Sequence, residues 1–60
     1  MQWNKIEGPL DYPPRDTLVI TCRDTGNSRI YEAEYWSKET EKYQVMNNII
    51  AWAKCDEYLC

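Results

Sequence analysis

The chain has 60 residues, with ten acidic and seven basic side chains and no histidine, so its formal net charge is −3. A chain of this length forms one small domain, here residues 1–60, and buries only about 60% of the surface that it exposes when unfolded. The acidic balance argues against a protein that binds nucleic acid by neutralising phosphates, and no apolar run approaches the roughly 18 residues of a membrane-spanning helix.

The chain begins with a segment whose first apolar residues are Trp3 and Ile6. We expect an extended lead-in that lays Trp3 over the strands that follow, and a single helical turn is the alternative. Pro9 ends the lead-in, because proline has a fixed φ and lacks an N–H. Tyr12 then precedes two prolines, which favour extended backbone. This connector is either a stiff loop before the first long strand or a segment that docks in an aromatic groove of a partner.

The stretch from Thr17 to Trp36 predicts a β-hairpin around which the rest of the chain is organised. Its first strand, Thr17–Arg23, is rich in β-branched residues. The turn, Asp24–Ser28, contains Gly26, which adopts a positive φ without strain. The first strand has one purely apolar face, which we expect to point into the core: Leu18, Ile20 and Cys22. The cysteine on that face is expected to be a small core residue rather than a nucleophile.

The return strand, Arg29–Trp36, alternates between two kinds of side chain. One face carries Ile30, Glu32, Glu34 and Trp36. Two neighbouring carboxylates are typical of acid–base chemistry or of a solvated face, and we favour the solvated face because no other polar cluster lies nearby in the sequence. We therefore expect the opposite face to pack on the core: Tyr31, Ala33 and Tyr35.

The chain after the hairpin predicts further strands. Residues 37–42 are all polar and predict an exposed loop or strand end, and residues 43–46 resume the alternation of a strand. The asparagines at 47–48 favour a tight turn, because asparagine tolerates the left-handed region of backbone conformation. Ile49–Cys55 predicts a closing strand, with a helix as the alternative.

Together these elements predict an all-β domain of four to five strands, either a small antiparallel meander or an SH3-like, partly open barrel. The class becomes α+β if residues 47–59 form a helix. In either fold we expect the tail to hold Tyr58 and Leu59 against the domain or to fray, as chain ends do.

The chain has three cysteines, an odd number: Cys22, Cys55 and Cys60. They contain no Cys-x-x-Cys pair, and without histidine their spacing does not predict a zinc site. We expect residues 1–5 to belong to the domain rather than to a secretory leader. The cysteines then predict three free thiols in a reducing cytoplasm, with no metal and no cofactor.

The order of these short motifs resembles a family of small proteins from tailed phages and prophages, the domain of unknown function 551. That family has Trp and Ile near its start, a proline-containing loop, a Val-Leu-Val strand, an Ala-x-Tyr strand and a closing strand with Trp. The matching residues are Trp3, Ile6, Pro13, Pro14, Leu18, Val19, Ala33, Tyr35, Ile50 and Trp52. The chain departs from the family at residues 54–57, where the family has Pro-Leu-Pro. The resemblance implies a small β fold and a phage origin, and it brings no catalytic residues.

The residue types predict a protein that binds rather than catalyses. The chain lacks histidine, a phosphate-binding loop and the usual pairs of nucleophile and base, so we expect no enzymatic activity. Its three Trp and five Tyr exceed the needs of one small core, and these residue types are enriched in binding hot spots. The residues expected to bind a partner are Tyr12, Ile30, Glu32, Glu34 and Trp36.

We therefore expect a protein-interaction module of phage type that binds and inhibits a host bacterial protein through an aromatic sheet face, without direct contact with nucleic acid or membrane. Two alternatives stay open. One is an acidic mimic that occupies the nucleic-acid site of a host protein. The other is a structural protein that forms homodimers or larger homo-oligomers through an exposed edge strand.

Overall fold

The computed structural model describes residues 2–55, which form one four-stranded antiparallel sheet and one short helix. The strands are β1 (Asn4–Lys5), β2 (Thr17–Asp24), β3 (Arg29–Trp36) and β4 (Ile49–Lys54), in the spatial order β1-β4-β2-β3. The helix α1 spans Lys38–Lys42, and a 3-10 turn spans Pro9–Asp11. The all-β class is confirmed, and the described strands form an open sheet rather than a closed barrel. No helix within residues 2–55 is long and apolar enough to cross a membrane.

β2 and β3 form the predicted hairpin, paired residue for residue from Thr17 opposite Trp36 to Asp24 opposite Arg29. At the turn Gly26 has a φ of 93°, a conformation that glycine adopts without steric cost. The Asp24 carboxylate accepts a hydrogen bond of 2.8 Å from the Gly26 N–H and closes the turn. The turn residues therefore specify the hairpin as predicted.

The connection between β3 and β4 crosses from one side of β2 to the other. Both strands pair antiparallel with β2, so they run parallel to each other. Parallel strands need a crossover of about a dozen residues, and residues 37–48 supply it. The predictions for this connection are wrong, because residues 38–42 form α1 rather than a loop or strand end and residues 43–46 lie in turns rather than in a strand.

α1 begins where it does because Ser37 and Thr40 form a capping box. The Ser37 hydroxyl accepts a hydrogen bond of 3.3 Å from the Thr40 N–H, and Thr40 Oγ1 accepts one of 3.4 Å from the Ser37 N–H. The crossover ends at Asn48, whose φ of 55° lies in the left-handed region, as predicted. β4 is a strand, which confirms the predicted closing strand and excludes the helical alternative for these residues.

The main core cluster lies on one face of the sheet, and Cys22 and Ala53 are buried on the other. The buried side chains of the cluster are Val19, Trp36, Ile49 and Trp52, and Ile6 and Tyr12 from the lead-in and the connector pack against them. The sheet and these covering segments therefore form two layers around one small core, which is the arrangement that a domain of this size requires.

The expected assignment of faces in the hairpin is wrong except at Cys22, which is buried as predicted. Val19 and Thr21 are fully buried, whereas Leu18, expected inside, is 45% exposed. The strand pairing gives the physical reason, because it places Trp36 and Trp52 on the same face as Val19 and Thr21. Two indoles supply the largest apolar surfaces in the chain, and burying them decides which face is covered. The return-strand residues expected in the core are instead all exposed: Tyr31, Ala33 and Tyr35.

The cysteines differ in their chemical state. Cys22 is buried and free, as expected. Cys55 is disulfide-bonded, so the expectation of three free thiols is wrong, and the cysteines no longer argue for a reducing compartment. Cys60 and the predicted packing of Tyr58 and Leu59 lie outside the described residues.

Candidate functional site

The face of the sheet opposite the core is the candidate binding surface. We call it the open face and define it by five residues of the hairpin: Leu18, Ile20, Tyr31, Ala33 and Tyr35. Successive side chains of a strand point to opposite faces, so these five residues lie on the side opposite the buried Val19, Thr21 and Trp36. Tyr31 is 56% exposed and Tyr35 is 57% exposed, whereas Cys22 and Ala53, on the same side but nearer β4, are buried. The open face is therefore apolar and aromatic, and its two tyrosines are available for contact.

Trp3 extends the aromatic surface beside the open face. Its ring centroid lies 5.6 Å from that of Tyr31, with the ring planes tilted by 56°. Tilted pairs at this distance are favourable contacts between aromatic rings. The contact confirms that the lead-in is extended and lies over the hairpin, and Trp3 itself stays 37% exposed.

The charges next to the open face are few. Asp24 and Arg29 form the last pair at the hairpin end, and Lys5 lies opposite Ala51 on the same side of the sheet. The Asp24 carboxylate is occupied by the hydrogen bond to the Gly26 N–H. Because both glutamates of β3 project from the other face, the open face has a slightly basic border.

Trp36, which is expected to bind a partner, lies in the core. Its side chain is completely buried in the core. Its indole Nε1 donates a hydrogen bond of 3.0 Å to Glu41 of α1. Trp36 therefore anchors the crossover on the sheet and has no surface left for a partner.

Ile30, Glu32 and Glu34 alternate along β3 on the same side of the sheet as Trp36, with Ile30 nearest the hairpin turn. Arg23 of β2 lies between the two carboxylates, with its nitrogens 3.3 Å from Glu32 and 3.5 Å from Glu34. Glu34 also accepts a hydrogen bond of 3.0 Å from the hydroxyl of the buried Thr21. Ile30 is 44% exposed. These three predicted site residues therefore differ in exposure, and they lie on the face of the sheet opposite the open face.

Tyr12, the fifth predicted site residue, is half-buried and has a structural role. Its ring lies 5.5 Å from the ring of Trp36, and its hydroxyl donates a hydrogen bond of 3.1 Å to Gln44. Gln44 in turn donates one of 2.6 Å to the carbonyl of Ile49 at the start of β4. Tyr12 therefore joins the connector to the crossover rather than projecting toward a partner.

The outer edge of β3 is the second exposed feature. β3 is the last strand in the sheet, so along one side its backbone groups have no neighbouring strand within residues 2–55. At the end of this edge the carbonyl of Tyr35 accepts a hydrogen bond of 3.2 Å from the Thr40 hydroxyl. α1 thus closes the edge beyond Tyr35 and leaves the hairpin half open.

Glu41 joins three segments on the covered side. Arg15 from the connector donates to both of its carboxylate oxygens, at 3.0 and 3.1 Å, and the indole of Trp36 donates at 3.0 Å. The pKa of Glu41 lies below its usual value of 4.5, first because of the hydrogen bonds from Arg15 and also because of the one from Trp36. These hydrogen bonds hold the crossover against the connector and the end of β3, which is a structural role.

The described residues contain little that suggests catalysis. No group of three or more Cys, Asp and Glu side chains in residues 2–55 is placed to hold a metal ion. Cys22 is buried, and the pair of glutamates on β3 is neutralised in part by Arg23.

The sequence analysis missed Leu18, Tyr31 and Tyr35 as surface residues. It placed the face with two glutamates in water and so placed the opposite face in the core. One signal pointed the other way, since Arg23 shares the parity of Val19 and Thr21 and can neutralise glutamates on the same face. The glutamate pattern misled because the partly exposed Arg23 partly neutralises Glu32 and Glu34 on the face that also carries the core cluster.

No protein-family model matches this chain, and no curated protein or solved structure matches it significantly.

Proposed function

We propose that the chain is a non-enzymatic interaction module that binds another protein through the open face. The observation that supports this most directly is the pair of tyrosines on β3 that are each more than half exposed, next to the 45% exposed Leu18. Tyr combines a large rigid apolar ring with a polar tip, which makes it a frequent anchor at interfaces. A soluble domain gains nothing in stability from leaving such rings in water.

The size of the patch agrees with a binding role. A large aromatic side chain buries roughly 150–250 Å², so Tyr31 and Tyr35 at their exposed fractions each leave on the order of 100 Å² uncovered. With Leu18, Trp3 and the smaller residues the patch is about 400 Å², within the range of roughly 300–600 Å² seen for the largest and often functional patches of monomers. At about 25 cal/mol per Å², covering it yields roughly 10 kcal/mol before the cost of association, which is about 4–15 kcal/mol. The open face alone therefore supports a weak complex, and a tight one needs further contacts.

The resemblance to a phage family suggests the class of partner. On that basis we propose that the partner is a protein of the bacterial host, that binding takes place in the host cytoplasm and that it inhibits the partner. The alternative of an acidic mimic of nucleic acid is less well supported. Such a mimic needs a row of free carboxylates, whereas Glu32 and Glu34 share the guanidinium of Arg23.

The test is affinity capture from a bacterial lysate with matched variants. One variant carries Tyr31→Thr and Tyr35→Thr, and the control carries Tyr43→Thr. Tyr43 is a suitable control because it is 40% exposed and lies at the end of α1, away from the open face. Threonine keeps a high strand propensity, and circular dichroism checks that each variant is folded.

We expect one or more host proteins to be retained by the wild type and by Tyr43→Thr and to be lost with the double variant. Purified target then gives a dissociation constant for each variant. If all three proteins retain the same set of host proteins with the same affinity, the open face is not the binding site and the proposal is wrong.

A further inference from the structure

We propose that the outer edge of β3 receives an extended segment of the partner as a fifth strand, and that this segment carries a basic side chain opposite Glu32 and apolar side chains next to Tyr31 and Ala33. The inference rests on the proposed function, since it names how the partner is held and what residues it presents. Strand addition supplies main-chain hydrogen bonds that the open face alone lacks.

The backbone contacts show which residues of β3 point outward. The carbonyl of Trp36 accepts a hydrogen bond of 2.7 Å from the Asp16 N–H, and the carbonyl of Glu32 lies 3.5 Å from the Thr21 hydroxyl of β2. These even-numbered residues therefore direct their backbone groups toward β2. Along a strand the N–H and C=O of one residue point to the same side and alternate with those of the next. The odd-numbered residues Tyr31 and Ala33 thus present both groups to the outer edge.

The accessible part of this edge is short and has a defined end. Arg29, Tyr31 and Ala33 face outward, and beyond them the Tyr35 carbonyl is already bonded to Thr40 of α1. At roughly 3.3 Å per residue, an incoming segment of about five residues covers the free length. The opposite border of the sheet offers less, since β1 contains only Asn4–Lys5.

The charges beside the edge specify the incoming residues. Arg23 contributes one positive charge to two carboxylates, so the group of Arg23, Glu32 and Glu34 keeps one negative charge. The side chain of Glu32 is 49% exposed, whereas that of Glu34 is 24% exposed. Directly opposed side chains on neighbouring strands interact, and opposite charges are favourable there. A Lys or Arg of the incoming strand opposite Glu32 neutralises the remaining negative charge on that face. The neighbouring residues of the incoming strand then lie beside the aromatic open face.

The same charges disfavour a second copy of this chain. Two β3 edges related by a twofold axis pair antiparallel. If the axis passes Glu32, two copies of this glutamate oppose each other, and if it passes Ala33, Glu32 opposes Glu34. If the axis passes Tyr31, Glu32 opposes Ile30. Each register therefore sets a carboxylate against another carboxylate or against an apolar side chain, which are unfavourable pairs.

The test uses two synthetic peptides with blocked ends, Thr-Lys-Val-Lys-Val-Lys-Thr and Thr-Glu-Val-Glu-Val-Glu-Thr, titrated into the isotope-labelled full chain and followed by NMR. We expect the basic peptide to shift the amide signals of Tyr31 and Ala33, to protect these amides from hydrogen exchange and to bind at least about tenfold more tightly than the acidic one, a difference of roughly 1.4 kcal/mol. Glu32→Lys is expected to reverse the preference. Ala33→Pro removes an outward N–H without removing a bond to β2, so it should abolish the binding of both peptides.

Several results would overturn this inference. The inference is wrong if the two peptides bind equally, if neither binds, or if the NMR shifts are confined to open-face side chains. It is also wrong if Glu32→Lys leaves the peptide preference unchanged. The Glu32→Lys comparison keeps the test valid if Ala33→Pro fails to fold. None of these results affects the capture experiment with the tyrosine variants, so the open-face proposal stands or fails separately. Pairing of the edge with a second copy likewise contradicts it. Such pairing would slow the hydrogen exchange of the Tyr31 and Ala33 amides as the concentration of the chain alone rises.

Discussion

Among single residues, Glu41 makes the contacts that hold the covered side together. It accepts hydrogen bonds from Arg15 in the connector and from the buried indole of Trp36 at the end of β3. Arg15 is largely exposed, so solvent weakens that ion pair. The bond to the indole matters more for stability, since a buried N–H without an acceptor costs free energy.

Replacing Glu41 tests this division. We expect Glu41→Ala to lower the free energy of unfolding by about 1–3 kcal/mol, because it leaves the indole N–H of Trp36 buried without an acceptor. Glu41→Gln keeps an acceptor oxygen and should cost less. Urea unfolding followed by tryptophan fluorescence measures both. Equal losses for the two variants would mean that the charge of Glu41, and not the bond to Trp36, carries its contribution.

The lowered pKa of Glu41 predicts how stability depends on pH. Because folding lowers this pKa, the stabilisation from the carboxylate is complete above the unfolded value of about 4.5 and is lost as the pH falls through the folded value. The free energy of unfolding of the wild type should therefore fall more steeply below about pH 4 than that of Glu41→Gln. Urea midpoints measured for both proteins from neutral to acidic pH give the comparison, and parallel curves would contradict it.

Among the elements, β2 shows most directly how the sheet divides into two faces. Val19 is fully buried and its neighbour Leu18 is 45% exposed. From Thr17 to Thr21 the burial pattern of β2 thus follows the alternation expected of a strand, with the opposite face inward from the one that its apolar residues suggest, and at Cys22 both faces are buried.

Alanine substitutions at these two neighbours test the assignment. Val19→Ala should cost about 2 kcal/mol, since it removes two methyl groups from a packed core and leaves a cavity. Leu18→Ala removes a larger but half-exposed group and should cost less than about 1 kcal/mol. Thermal or urea unfolding measures the two values. A greater loss for Leu18→Ala than for Val19→Ala would show that the open face is covered in solution.

For the molecule as a whole, we expect the charges of β3 to keep the open edge from pairing with another copy. We expect the wild type to sediment as a monomer at micromolar concentrations. Glu32→Thr removes the more exposed carboxylate and leaves Arg23 paired with Glu34, so this variant should self-associate through the edge. Glu7→Thr makes the same charge change in an exposed residue outside the strands and should stay monomeric. Analytical ultracentrifugation distinguishes them, and a dimeric wild type would favour the homo-oligomer alternative.

Much of the fold was predictable because its signals are local. The hairpin follows from the β-branched residues of β2, from Gly26 at the turn and from the alternation in β3, and Asn48 marks the start of the last strand. α1 was missed because its capping residues, Ser37 and Thr40, differ from the usual pattern with Glu or Gln at the second position. The candidate site was predicted less well than the fold, because the predicted anchor Trp36 is in the core.

The residue order alone establishes an all-β chain with a hairpin at its centre, a closing strand after Asn48 and more aromatic side chains than one small core holds. Only the tertiary structure decides which face of the sheet is covered, and therefore which rings are free. Alternation along a strand defines two faces but does not distinguish them. The choice depends on contacts between residues far apart in the chain, since the register of β2 with β4 sets Trp52 beside Thr21, and the crossover then covers that side.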